Sequence, residues 1–279
     1  MSIALYNITA FACSEMITRS YSTSFALAIK TLDKRFRAPI CGIYGFVRFA
    51  DEIVDTFHDH DKKSLLENYK KETYRAIYEK ISLNPVLHAF QEVVNKYEIS
   101  LDHVEQFLRS MEMDLETSTH AQQSFEEYIY GSAEVVGLMC LQVFCEGDKQ
   151  KYDSLKPFAC KLGSAFQKVN FLRDVQSDFE ERGRVYFPGV EWKSFNNLSK
   201  TEIEKGIQQD FEEAYKGIKL LPEGARLGVF LAYKYYLSLF RKIQKVPAAQ
   251  IMQSRIRVSN HKKIALLLQS YVSKKLNYI

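Results

Sequence analysis

Apolar positions recur every three to four residues along most of this chain, the spacing of helices that bury one stripe and expose the rest. Strict alternation, the mark of half-buried strands, is almost absent. The pattern predicts helices at about 3–30, 37–59, 62–82, 85–97, 101–119, 124–147, 152–181, 200–219, 224–245 and 259–276. Opening cues support several of them: Asn84-Pro85, Ser100 with Asp102, Asp153, and Ser199 before Glu202. One long stretch lacks periodicity, from Gly183 to about Ser199, and carries Pro188, Gly189 and Asn196-Asn197. Connections longer than roughly 12–15 residues are usually lids, binding loops or disorder, and this one is read as a flap. No repeat, low-complexity tract or linker divides the chain, so residues 1–279 are expected to form one all-α domain.

Composition agrees. Glycine and proline number only 12 and 6, too few for a turn-rich β architecture. Hydrophobic residues make up 46% of the chain and aromatics 13%, enough for a large core and for the lining of an apolar cavity. The net charge of +4 is small and the basic residues are scattered, which argues against a nucleic-acid partner. Five cysteines, Cys13, Cys41, Cys140, Cys145 and Cys160, lack the spacing of a zinc site and read as free thiols in a reducing compartment. The N-terminus has no secretory pattern, and no run reaches the ~18 uninterrupted apolar residues of a membrane span, Lys234 breaking Leu227–Phe240. A cytoplasmic location is expected.

The chemistry lies in two aspartate pairs. Asp51 and Asp55 share one helix, Asp174 and Asp178 another, each at i,i+4 spacing and so roughly 5–6 Å apart on one face. Like charges that close repel and call for a cation. Hard carboxylate oxygens suit Mg²⁺, which completes its shell with water and substrate phosphate, so two pairs together suggest a diphosphate clamp. A solvated acidic face is the alternative for either pair alone. Tyr44 and Arg48 continue the first stripe, and Gln167 and Asn170 continue the second. A guanidinium can hold a phosphate oxygen bidentately, although Arg48 also stands i,i+4 to Glu52 and can form a plain ion pair. Between the two motifs, Gly131, Ala133 and Gly137 interrupt a helical pattern with small residues, leaving room for a packed helix or a bulky ligand. His58-Asp59-His60-Asp61 reads as a solvated helix end.

Taken together these motifs resemble the squalene and phytoene synthases, the head-to-head prenyl transferases, and bacterial phytoene synthases most of all. The resemblance runs from Ser22-Thr23-Ser24-Phe25 to Arg257-Val258-Ser259. It takes in the Tyr44 to Asp55 run, Met113-Asp114-Leu115, Tyr128 to Gly137, Gln167 to Asp178 and Arg184-Val185-Tyr186-Phe187-Pro188. Glu52 stands where the family usually has a second aspartate, and Tyr21 where some relatives have histidine. The resemblance implies an isoprenoid-synthase-type helical bundle around a central apolar cavity. Asp51, Asp55, Asn170, Asp174 and Asp178 would hold Mg²⁺ or Mn²⁺. Arg48, Arg173 and Arg184 would hold diphosphates, with Ser24, Gln167 and Tyr186 among the substrate contacts. Phe25, Tyr44, Tyr128 and Tyr236 would line the cavity near the reacting carbons. The implied substrates are prenyl diphosphates, and the implied reaction is condensation of two geranylgeranyl diphosphates to phytoene without NADPH. Squalene or dehydrosqualene synthesis from farnesyl diphosphate is the nearest rival, and a non-catalytic assembly factor of the same fold is another.

The last predicted helix carries Ile264, Leu267, Leu268 and Tyr271 on one face, flanked by Lys262, Lys263, Lys274 and Lys275. Such a basic amphipathic helix either rests on the inner face of an anionic membrane or packs on the core with its lysines solvated.

Overall fold

A computed structural model describes residues 2–116, 122–180, 186–188, 195–253 and 256–275. Among them there is no β-strand. The helices, in chain order, are α1 (Ile3–Tyr21), α2 (Thr23–Lys30), α3 (Lys34–Asp55), α4 (Lys62–Glu79), α5 (Pro85–Tyr97), α6 (Leu101–Glu116) and α7 (Gln122–Ile129). A π-helical segment (Tyr130–Glu134) then leads into α8 (Val135–Cys145) and α9 (Lys149–Glu180). The chain closes with α10 (Asn197–Leu220), α11 (Glu223–Gln244), the short α12 (Ala248–Ile251) and α13 (Asn260–Lys275). The all-α expectation holds. Much of the proposed flap, including Arg184, lies outside the described residues.

Helix ends follow the local chemistry. Asn84 caps α5 ahead of Pro85, its side chain accepting from the Val86 and Leu87 amides. Asp61 caps α4 and accepts from the Ser64 amide at 3.1 Å, so the His58–Asp61 run is a helix approach and is exposed. α10 opens three residues earlier than its Ser199 cue. Asn196 is the cap and Ser199 the reciprocal partner of a capping box. The predicted helix at 3–30 is two helices. Ser22 adopts extended angles (φ −145°, ψ 99°) and its hydroxyl accepts from the Phe25 amide at 3.2 Å, so it ends α1 and starts α2. That break turns Phe25 into the bundle.

The small residues between the two motifs serve helix packing. A Cβ at Gly131 would lie 2.5 Å from the Gln106 carbonyl oxygen of α6, and one at Gly163 would lie 2.6 Å from the Ala133 carbonyl oxygen. The π segment is therefore wedged between α6 and α9 with backbone on both sides. Gln123–Cys145, the one described stretch long and apolar enough to cross a membrane, is 56% buried and packs against these helices as a core element does.

α9 carries the architecture, lying against α8, the π segment and, most extensively, α10. Its Lys161, Ser164 and Lys168, on one stripe, converge on buried Asp210 of α10 at 3.1, 3.0 and 2.7 Å. Around α3 the core is aromatic: Phe46 stacks on Phe90 at 3.8 Å, both fully buried. α13 packs on α11 and α2 through Leu266 and half-buried Leu267, which meet Ala28, Leu231 and Tyr235. Ile264, Leu268 and Tyr271 point outward with Val272. The helix thus packs on the core and still exposes an apolar strip.

Candidate active site

α3 and α9 barely touch, yet their polar stripes meet the same set of rings. Tyr44, at the head of the α3 stripe, lies 5.9 Å from Phe25 of α2. Phe25 lies 6.1 Å from Tyr236 of α11 and 6.5 Å from Phe166 of α9. Phe166 and Tyr236 stack at 3.9 Å. All four rings are half-buried, each with an accessible surface, unlike the sealed Phe46 and Phe90. Desolvation pushes the Tyr44 phenol up to about 12, against the lowering effect of Arg48, and desolvation also raises Tyr236. Both phenols are therefore neutral donors at ordinary pH. The Tyr236 hydroxyl donates to Asn170 Oδ1 at 3.3 Å, and Asn170 donates to Gln167 Oε1 at the same distance. Ser24 sits half-buried in the first turn of α2, next to Phe25.

One helical turn along each stripe stand the charges. On α3, Arg48 forms an ion pair with buried Glu52, rests its guanidinium over the Tyr21 ring at 4.5 Å, and lies 4.0 Å from Asp51. Its Nε is buried without a partner among the described residues. Asp51 and Asp55 are half-buried. On α9, Arg173 grips its neighbour Asp174 with two bonds, Nε to Oδ1 at 3.0 Å and Nη2 to Oδ2 at 2.5 Å. Burial alone would lower the Arg173 guanidinium, but that carboxylate holds it above its ordinary value. Asp178, one turn further, is 6% exposed.

Among the described residues no three His, Cys, Asp or Glu side chains stand close enough together to hold a metal ion by themselves. Each helix offers a pair of carboxylates instead. Mg²⁺ is usually bound through one or two carboxylates, with water and substrate phosphate completing its octahedron. The donor set therefore fits a cation that arrives with a diphosphate, not one caged beforehand. The expectation that each pair needs an external cation to offset its repulsion is met in part from within, because Arg173 already compensates Asp174.

Two tyrosines predicted for the site share one partner. Tyr128 and Tyr186 are buried, and both donate to Asp114 of α6, at 2.8 and 3.1 Å. Phe171 of α9 stacks on Tyr186 at 3.9 Å, which ties residue 186 to α6 and α9 together. Burial and the Asp114 charge raise the Tyr128 phenol well above its usual value. Sequence reasoning assigned no role to Asp114, the one carboxylate on a buried helix face that also carries His103, Val104, Phe107, Leu108, Ser110 and Met111. It also passed over Phe166, one turn before Asn170 on the α9 stripe.

Residues 18–262 match the sequence profile of the squalene/phytoene synthase family. The chain is 26% identical to the 15-cis-phytoene synthase of Pantoea ananas, over 88% of this chain and 86% of that one. It is 23% identical to the 4,4'-diapophytoene synthase of Staphylococcus haemolyticus, over 88% and 91% of the two chains. A crystal structure of a dehydrosqualene synthase in complex with ligand superposes with a TM-score of 0.81 at 25% identity, covering 96% of this chain and 98% of that one.

Proposed function

Because the chain belongs to the squalene/phytoene synthase family, whose members are prenyltransferases, we propose that it joins two geranylgeranyl diphosphates head to head into phytoene. Two C20 diphosphates give one C40 hydrocarbon, two diphosphates and two protons. The observation that carries this reading is the meeting of the α3 and α9 stripes on one set of half-buried rings: Arg48 lies one turn and Asp51 two turns beyond Tyr44, and Asp174 lies one turn beyond Asn170. A diphosphate head held by the charges then leaves its prenyl tail among Phe25, Tyr44, Phe166 and Tyr236.

Each residue has a task in that arrangement. Arg48 and Arg173 hold diphosphate oxygens, and Arg184 joins them in this reading. Asn170 and Gln167 orient the head, with Tyr236 fixing Asn170. Asp51, Asp55, Asp174 and Asp178 hold Mg²⁺ or Mn²⁺, whose chemistry is to neutralise the charge growing on a departing diphosphate. Ring faces stabilise the allylic cation left behind, and their apolar walls exclude the water that would quench it. Attack by the second donor's double bond, with loss of a first proton as the three-membered ring closes, gives the cyclopropyl diphosphate. A second ionisation, rearrangement and loss of a proton complete phytoene, with no NADPH consumed.

The dehydrosqualene synthase fold match and the diapophytoene synthase relative favour a second reading, in which the donor is farnesyl diphosphate. Incubation with each donor and Mg²⁺, with and without NADPH, distinguishes them by the hydrocarbon formed. The first reading expects phytoene from the C20 donor and no response to NADPH. Product from the C15 donor alone would establish the second.

Delivery of an insoluble product also gives α13 a task. Its outward Ile264, Leu268 and Tyr271, with Lys262 beside them, fit contact with an anionic bilayer. Flotation with phosphatidylglycerol vesicles is expected to carry the wild type and to lose Leu268→Glu. Equal flotation of the two proteins would exclude this face.

A further inference from the structure

Arg173 is bonded in a way that diphosphate binding alone does not require. Its fork occupies both oxygens of Asp174, at 3.0 and 2.5 Å, in the paired geometry by which a guanidinium matches a carboxylate. A divalent ion chelating through that edge of Asp174 must displace at least one of these bonds. The side chain is 22% exposed, so part of it remains accessible, and Tyr236 and Asn170 lie beside it. Arg48 on α3 is managed differently. Glu52 takes its Nη2 and the Tyr21 ring lies under its guanidinium, which leaves Nη1 at 4.0 Å from Asp51, outside hydrogen-bond reach.

Resting on the reading above, we infer that Arg173 is the built-in counter-ion of Asp174, a competitor of the divalent cation that a diphosphate draws away, while Glu52 and Tyr21 keep Arg48 from forking Asp51 in the same manner. Cation and diphosphate then help each other to bind. A cation alone has to break the fork without offering the guanidinium another anion. A cation with its diphosphate gives Arg173 phosphate oxygens in exchange. By linkage, each ligand raises the affinity for the other by the same factor.

Equilibrium dialysis of Mn²⁺ against the intact chain, with and without inorganic pyrophosphate, tests the exchange, because free Mn²⁺-pyrophosphate distributes equally across the membrane. For the wild type, pyrophosphate is expected to tighten Mn²⁺ retention by a factor on the order of 10–100. Arg173→Gln is expected to bind Mn²⁺ alone several-fold more tightly than the wild type and to gain little from pyrophosphate. Arg173→Lys, which keeps the charge without the fork, should fall between them and carries the test if the glutamine variant does not fold by circular dichroism. Glu52→Gln, which releases Arg48 toward Asp51, should weaken Mn²⁺ binding without pyrophosphate. If Mn²⁺ alone binds no more tightly to either Arg173 variant while pyrophosphate still promotes retention, the counter-ion role is overturned and the diphosphate site stands. If the wild type retains no Mn²⁺ even with pyrophosphate, the proposed function falls as well.

Discussion

Replacing Asp51 or Asp174 by asparagine is expected to lower kcat by about 10²–10³-fold with either donor, the loss typical when one preorganised electrostatic contact to a developing charge is removed. An amide keeps the size of each side chain and removes the anionic oxygen that a hard cation needs. The two variants should differ in stability. Asp51 is 34% exposed and lies 4.0 Å from Arg48, so its loss should change stability by well under ~1 kcal/mol. Asp174 is 16% exposed and forked by Arg173, so the amide leaves a largely enclosed guanidinium with one neutral acceptor in place of a carboxylate, at a cost of about 1.5–3 kcal/mol. Steady-state assays paired with urea unfolding check both statements. Near-normal turnover in both variants would defeat the assignment of these carboxylates.

The largest stability effect is expected at Asp210, in the contact between α9 and α10. This carboxylate is 5% exposed and receives Lys168, Lys161 and Ser164 from one face of α9. Removing one partner of a buried ion pair costs about 3–5 kcal/mol when the remaining charge stays enclosed. Lys161 is half exposed and Lys168 partly so, which places Asp210→Ala at the lower end, about 3 kcal/mol. For a chain of this size that corresponds to a fall in Tm of roughly 6–12 °C. α9 also carries Gln167 and Asn170, on another face from Lys168, so a shift of the helix after the α9–α10 contact loosens should also raise KM for the prenyl diphosphate. A Tm within about 2 °C of the wild type would show that α9 and α10 are held by apolar packing alone.

Much of this was readable from the chain. Helical periodicity located nearly every element because each helix buries a single stripe, and the i,i+4 aspartates stood out because two carboxylates on one face are costly without a counter-charge. What escaped the reading is physically specific. Ser22 breaks α1 from α2 through its own backbone angles and its bond to the Phe25 amide, while the hydrophobic pattern runs on across it. The π segment at Tyr130–Glu134 preserves helical periodicity nearly intact, and its cause lies in backbones that approach within contact at Gly131 and Gly163. Tyr128 belongs by spacing to the same region as the site, but its hydroxyl answers to Asp114, a partner from another helix that no local pattern announces. Arg173 and Asp174 are sequence neighbours, which do not normally share a helix face. Their fork joins two adjacent side chains across that separation.

Crystals of the chain grown with Mn²⁺ and inorganic pyrophosphate, measured at the manganese absorption edge, place the cations directly. The account predicts anomalous peaks at both aspartate pairs, bridged by diphosphate oxygens, with the Arg173 guanidinium moved from Asp174 onto phosphate. Manganese confined to one helix, or a diphosphate bound away from Arg48 and Arg173, would contradict it.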